Sequence, residues 1–90
     1  MPVEWDPQKV RINLEKHEIA CSDAVSALED DYALTIEDDH PHKRRYVTLG
    51  MDLADRLLVV VWLYHGEVIR LNFARRATSK EQRNYQAGEP

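Results

Sequence analysis

The sequence predicts an α+β fold: two N-terminal helices packed on a four-stranded, mainly antiparallel sheet, followed by a C-terminal helix. Three observations predict it. The hydrophobic period is helical as far as Leu28 and changes to two from Tyr32 onward. The run Leu57 to Tyr64 is apolar throughout, as a central strand covered on both faces would be. Thr78 and Glu81 form a Thr-x-x-Glu capping box that opens a last helix. The 90 residues, 43% of them apolar, make one domain, 1–90, without repeats, low-complexity tracts or a Gly/Ser/Pro linker.

Each element has its own local reason. Asp6 can cap the first helix, and Pro7 sits at its first position. Val10, Leu14 and His17 then recur at i, i+4 and i+7, with Asn13 on the same stripe. A second short helix begins at Ser22, with Ala24, Val25 and Leu28 as its apolar side, and runs into Glu29, Asp30 and Asp31. Tyr32, Leu34 and Ile36 then alternate with Ala33, Thr35 and Glu37 as a half-buried strand. Charge and Pro41 mark Asp38 to Arg44 as a loop, and Arg45 to Met51 reads as the second strand. His65-Gly66 is a tight connection that folds Glu67 to Ala74 back antiparallel on the central strand. Alternation in these strands places Tyr46, Thr48, Arg70 and Asn72 opposite the apolar face, as an open cationic surface with Arg75 and Arg76 at its edge.

Net charge is −4, which taken alone argues against a polyanionic ligand. Its distribution argues otherwise. Residues 1–40 carry a net −8 and residues 41–90 a net +4, an asymmetry that points to a nucleic-acid or partner surface. No apolar run approaches the roughly 20 residues that span a bilayer. A single cysteine, Cys21, and no basic-then-apolar opening lead us to expect a cytoplasmic protein with no membrane partner.

Several residues bear chemistry. Asp38, Asp39, His40 and His42 resemble a metal cluster, but a stiff acidic loop in solvent explains them better, and no metal or cofactor is expected. Cys21 beside Glu18 and Asp23 lacks the electropositive setting of a nucleophile and reads as a small buried filler. His17, on the apolar stripe, is either a partly buried, hydrogen-bonded residue or a proton-transfer group. Arg70, Arg75, Arg76, Lys80, Arg83 and Tyr85 form the densest basic and aromatic group, suited to phosphate and base contacts.

Trp5-Asp6, Lys9, Asn13 and Lys16-His17 match the opening pattern of the BrnT toxin family. So do Arg45-Tyr46-Val47-Thr48-Leu49-Gly50, the strand Leu57 to Trp62, and the ending Ile69-Arg70, Ala74-Arg75-Arg76-Ala77-Thr78, Glu81, Arg83 and Tyr85. The chain resembles that family over essentially its whole length, and departs from it at Glu18, where the family usually has glycine. The resemblance implies a RelE-like fold and a ribonuclease toxin of a type II toxin–antitoxin system that arrests translation. Its implied partners are a BrnA-type antitoxin, which alone contacts operator DNA, and RNA, including ribosome-bound mRNA, within a higher-order toxin–antitoxin complex. Metal-independent RNA cleavage needs a base for the 2′-hydroxyl, stabilised phosphate charge and an acid for the leaving oxygen. On this reading Arg45, Arg70, Arg75 and Arg76 hold phosphate, and Tyr46 or Tyr85 orients RNA together with Lys80 and Arg83. His17 or Lys16 transfers protons, with Glu67 as a further candidate base. The competing reading is a non-catalytic RNA- or protein-binding module on the same scaffold.

Overall fold

The computed structural model describes residues 2–40 and 43–89. It opens on an element that local pattern does not announce: strand β1, Val3–Trp5, which pairs parallel with Ile69, Arg70 and Leu71. Helix α1, Pro7–His17, follows, with Asp6 accepting the Gln8 N–H at 2.8 Å as its N-cap. Helix α2 spans Cys21–Leu28, and Asp23 reaches back to the Ala20 N–H at 2.8 Å. Strands β2 (Leu34–His40), β3 (Lys43–Met51), β4 (Leu57–His65) and β5 (Val68–Arg76) form the antiparallel meander. Helix α3, Ser79–Ala87, begins in the Thr78–Glu81 capping box and ends at Gly88 in the left-handed region, φ 73°.

The sheet therefore has five strands, in the order β1-β5-β4-β3-β2, and is mixed. The four-stranded expectation fails because a three-residue strand has no periodicity to detect; its partner, β5, lies more than sixty residues along the chain. Two boundaries also move. Asp38 to His40, and Lys43 and Arg44, are strand and not loop: β2 and β3 stay paired out to His40 and Lys43, because opposed Asp38 and Arg45 make charge compatible with the ladder. The β4–β5 turn is Gly66-Glu67, with His65 paired to Val68 and Gly66 taking φ 64°.

The largest correction concerns which sheet face is covered. Gly50 lies under α2 so closely that a Cβ there would stand 2.2 Å from the Ala27 carbonyl oxygen. Its neighbours at i−2 and i−4, Thr48 and Tyr46, consequently face the helices and not solvent. Thr48 is 2% exposed; its hydroxyl accepts the Trp62 indole N–H at 2.8 Å and exchanges a bond with Thr35 at 2.8 Å. The core lies on this face, built from Ile19, Ala24, Ala27, Leu58, Val60, Trp62, Ile69, Leu71 and Ala74. A bulge opposite Val61/Trp62 lets Asn72 be skipped, which reverses the phase of β5 and brings both Leu71 and Ala74 inward. Without the bulge, Ala74 would share the outer face with Arg70 and Asn72.

Asn13, 3% exposed, fastens α1 to that bulged strand. β1 ends opposite Leu71, and the Ala74 N–H beyond it is taken by Asn13 Oδ1 at 3.1 Å, while Asn13 Nδ2 donates to the Lys9 carbonyl at 2.8 Å. Helix α1 thus docks through a polar residue. Leu14 is left 53% exposed, and His17 is exposed too, so its reading as a partly buried stripe residue does not hold.

Candidate active site

The end of α1 is set by a residue in an uncommon conformation. Glu18 takes φ 57°, ψ 35°; its N–H donates to the Leu14 carbonyl at 3.1 Å, and the Ile19 N–H donates to the Asn13 carbonyl at 3.3 Å. Glycine would adopt this backbone without strain, and Glu18 adopts it because both flanks are anchored. Ile19 is fully buried, and Arg56 Nη1 donates to the Glu18 carbonyl at 2.8 Å. The last turn of α1 then presents Lys16 and His17, two basic groups at the negative end of the helix dipole.

Opposite them, β5 ends in Arg75 and Arg76, and the chain turns through Thr78 into α3. Lys16, His17, Glu18, Arg75, Arg76 and Thr78 line one open cleft of about 610 Å³. Residues from the first fifth and the last fifth of the chain meet there. Arg75 is engaged: its guanidinium forks onto Glu81 at 2.8 and 2.9 Å and also reaches the Arg76 carbonyl at 3.2 Å. The bond to Glu81 raises the Arg75 pKa against the pull of burial. In return the Arg75 fork, aided by the Thr78 N–H, holds Glu81 down at about 2. Among the described residues Lys16 and Arg76 form no ion pair, so their donors stay open to a ligand, with Glu18 the one carboxylate among the residues that line the cleft.

The other candidates lie elsewhere. Arg45 is bound to Asp38 at 3.0 Å near the opposite end of β3, about 20 Å of strand from Met51. Tyr46 stacks on Trp62 with ring centroids 4.6 Å apart. Arg70 makes a loose contact with Glu4 at 3.7 Å at the far end of β5. Lys80 and Arg83 are exposed on α3. Glu67 sits in the β4–β5 turn, remote from the cleft along the strands. Tyr85 donates to Asp30 at 2.5 Å; burial, the bond to Asp30 and that residue's charge push the phenol up to about 12. It ties α3 to the end of α2.

Cys21 is half-buried and not fully buried, and burial raises its thiol pKa, the direction opposite to a nucleophile's. Of the Asp38–His42 group, His42 and the side chains of Asp39 and His40 lie outside the described residues.

Arg56 is the participant that sequence reading missed. It bonds Asp52 at 2.9 Å, pairs with Asp23 at 3.0 Å and takes the Glu18 carbonyl, joining the β3–β4 turn to both helices. Burial pulls its pKa down, but the bonds and charges of Asp52 and Asp23 outweigh that and raise it. Asp52, 4% exposed, also accepts the N–H groups of Ala54 and Arg56. The i, i+4 spacing of Asp52 and Arg56 was visible; the reach to Glu18 was not.

Chemically, the cleft offers fixed positive charge beside an imidazole and an amine. That combination can bind a phosphodiester and move protons around it. A family model described as "Ribonuclease toxin, BrnT, of type II toxin-antitoxin system" matches residues 5–81. The 1.1 Å crystal structure of the Brucella abortus ribonuclease toxin BrnT is similar to the chain with a TM-score of 0.70 at 21% identity, covering 88% of this chain and 99% of that one. At that identity the likeness speaks for the fold. Comparison with curated proteins finds no match.

Proposed function

The chain belongs to the BrnT family of ribonuclease toxins of type II toxin–antitoxin systems, and on that premise we propose that its RelE-like scaffold cleaves RNA without metal at the cleft between α1 and β5. The observation that carries this reading is the convergence of Lys16, His17, Arg75 and Arg76 on one open cleft. Arg76 meets the scissile phosphate and stabilises the charge that gathers on its non-bridging oxygens. An arginine stays protonated and cannot serve as base, so proton transfer falls to the two groups on α1. His17 takes the proton of the 2′-hydroxyl or returns one to the leaving 5′-oxygen, and Lys16 serves the complementary step or adds phosphate charge. Arg75 orients the phosphate when Glu81 shares it. Lys80 and Arg83 on α3 extend the cationic surface for the RNA backbone.

The biological consequence proposed is arrest of translation, relieved when a BrnA-type antitoxin binds the toxin in a higher-order complex. Only the antitoxin would touch operator DNA. The acidic stretch Glu29 to Asp39 steers a basic antitoxin segment to the toxin. Induced expression without antitoxin tests the reading. Growth arrest with loss of RNA integrity, relieved in Arg75→Ala and Arg76→Ala, is expected. Full toxicity of both variants would remove the phosphate assignment, and harmless accumulation of folded wild type would favour a non-catalytic binding module.

A further inference from the structure

A second group of cationic and aromatic side chains lies at the other end of the sheet. Arg44, Tyr46, Leu63, Tyr64, His65 and Arg70 line a hollow of about 470 Å³ where β3 begins and β4 ends. Arg70 and Arg76 sit six residues apart on β5, so this hollow is about 20 Å from the cleft.

Its aromatic part is preorganised. Tyr46 and Trp62 are stacked, and Tyr64 stands perpendicular to both, at 5.7 and 5.2 Å, with interplanar angles of 79° and 85°. Tyr64 is nonetheless 56% exposed, a ring of fixed orientation that remains in contact with solvent. Fixing such a ring in advance lowers the entropy lost when a flat ligand stacks on it.

The cations beside it keep free donors. Arg44 meets Glu37 through Nε at 2.9 Å, and its two terminal nitrogens have no ion-pair partner among the described residues. Glu4 is taken first by His65 Nδ1 at 2.6 Å, and Arg70 approaches it only to 3.7 Å. The two carboxylates balance the two arginines, so a free anion gains little here. A ligand joining a flat ring to a phosphate gains from both halves of the hollow.

We propose that this hollow is a second RNA subsite, which rests on the ribonuclease reading above: the base of a nucleotide distant from the scissile bond stacks on Tyr64, and Arg70 and Arg44 take its phosphate. An RNA strand would then be held at both ends of β5, with the cleavable bond at one end only. A dinucleotide cannot reach both places. The subsite therefore makes affinity depend on RNA length.

The test is equilibrium binding of 2′-O-methyl RNA, which lacks the attacking hydroxyl, as a dinucleotide and as a long single strand. Wild type should bind the long strand more tightly. Tyr64→Ala should weaken long-strand binding about tenfold, within the range for losing one base–aromatic stack, and leave dinucleotide binding unchanged. Tyr64→Phe, which keeps the ring, should restore the length advantage. Arg70→Gln should reduce the salt slope of long-strand binding by about one. If Tyr64→Ala keeps the full length advantage while Arg76→Ala loses affinity for both ligands, the subsite is wrong and the RNA reading stands. If wild type binds neither ligand, both fall together.

Discussion

Replacing Glu81 with glutamine removes one charge and leaves the rest of its contacts possible. Glu81 Oε1 accepts both the Thr78 N–H at 2.8 Å and Arg75 Nη1, and Oε2 accepts Arg75 Nη2. Glutamine keeps an oxygen for the cap and loses the ion pair. The carboxyl is lowered from its ordinary 4.5 to about 2, a preference for the charged form of about 3 kcal/mol. The side chains of Arg75 and Glu81 are 35% and 28% exposed, so screening brings the expected contribution to about 1–2 kcal/mol. The sign follows from linkage. A carboxyl held low stabilises the fold above its ordinary pKa, and that stability is lost as pH falls from about 4.5 toward about 2. Urea unfolding should show Glu81→Gln less stable by about 1–2 kcal/mol at neutral pH, with the gap narrowing through that window. Because Arg75 is released into the cleft, the same variant should bind single-stranded RNA more tightly. A stability gap that is independent of pH would refute the electrostatic account of the pair. Unchanged RNA affinity would show that Arg75 does not meet phosphate.

Other perturbations probe the frame that holds the cleft. Gly50→Ala places a Cβ against the Ala27 carbonyl, where backbone and not a flexible side chain must yield. Urea midpoints should record a loss of about 2–3 kcal/mol or more. Glu18→Gly relieves a left-handed residue and should raise stability by up to about 1 kcal/mol, since relief of φ 57° is partly offset by a more flexible unfolded chain. Tyr85 should titrate near pH 12 by ultraviolet absorbance, and Asp30→Asn should return it toward 10. Neutralising the acids from Glu29 to Asp39 should slow antitoxin association and flatten its salt dependence. An unaltered association rate would dismiss the steering role.

Much of this architecture was legible locally. The Asp6–Pro7 start, the Thr78–Glu81 box and the apolar β4 run are written in a few neighbouring residues, and each forms as read. What was not legible depends on distant partners. β1 exists because Val3 to Trp5 find an open edge of β5, and Asn13 is buried because that edge leaves an N–H beyond β1. The outer face was misread for a similar reason. Both faces of β3 and β4 are rich in apolar residues, so alternation could not choose between them; the contact between Gly50 and α2 does. The basic residues were visible as a group, but their division between the two ends of β5 was not. Arg76 and Arg70 look equivalent in sequence, yet only Arg76 lies beside Lys16 and His17.

The most direct measurement is cleavage of a single-stranded RNA by the purified chain in the presence of a metal chelator, with products resolved over time. The account predicts cleavage that leaves a cyclic phosphate and a 5′-hydroxyl. Arg76→Ala should slow it by about 10²–10³-fold, and His17→Ala or Lys16→Ala by about 10²–10⁴-fold. RNA left intact by folded wild type, or cut equally fast by all three variants, would contradict it.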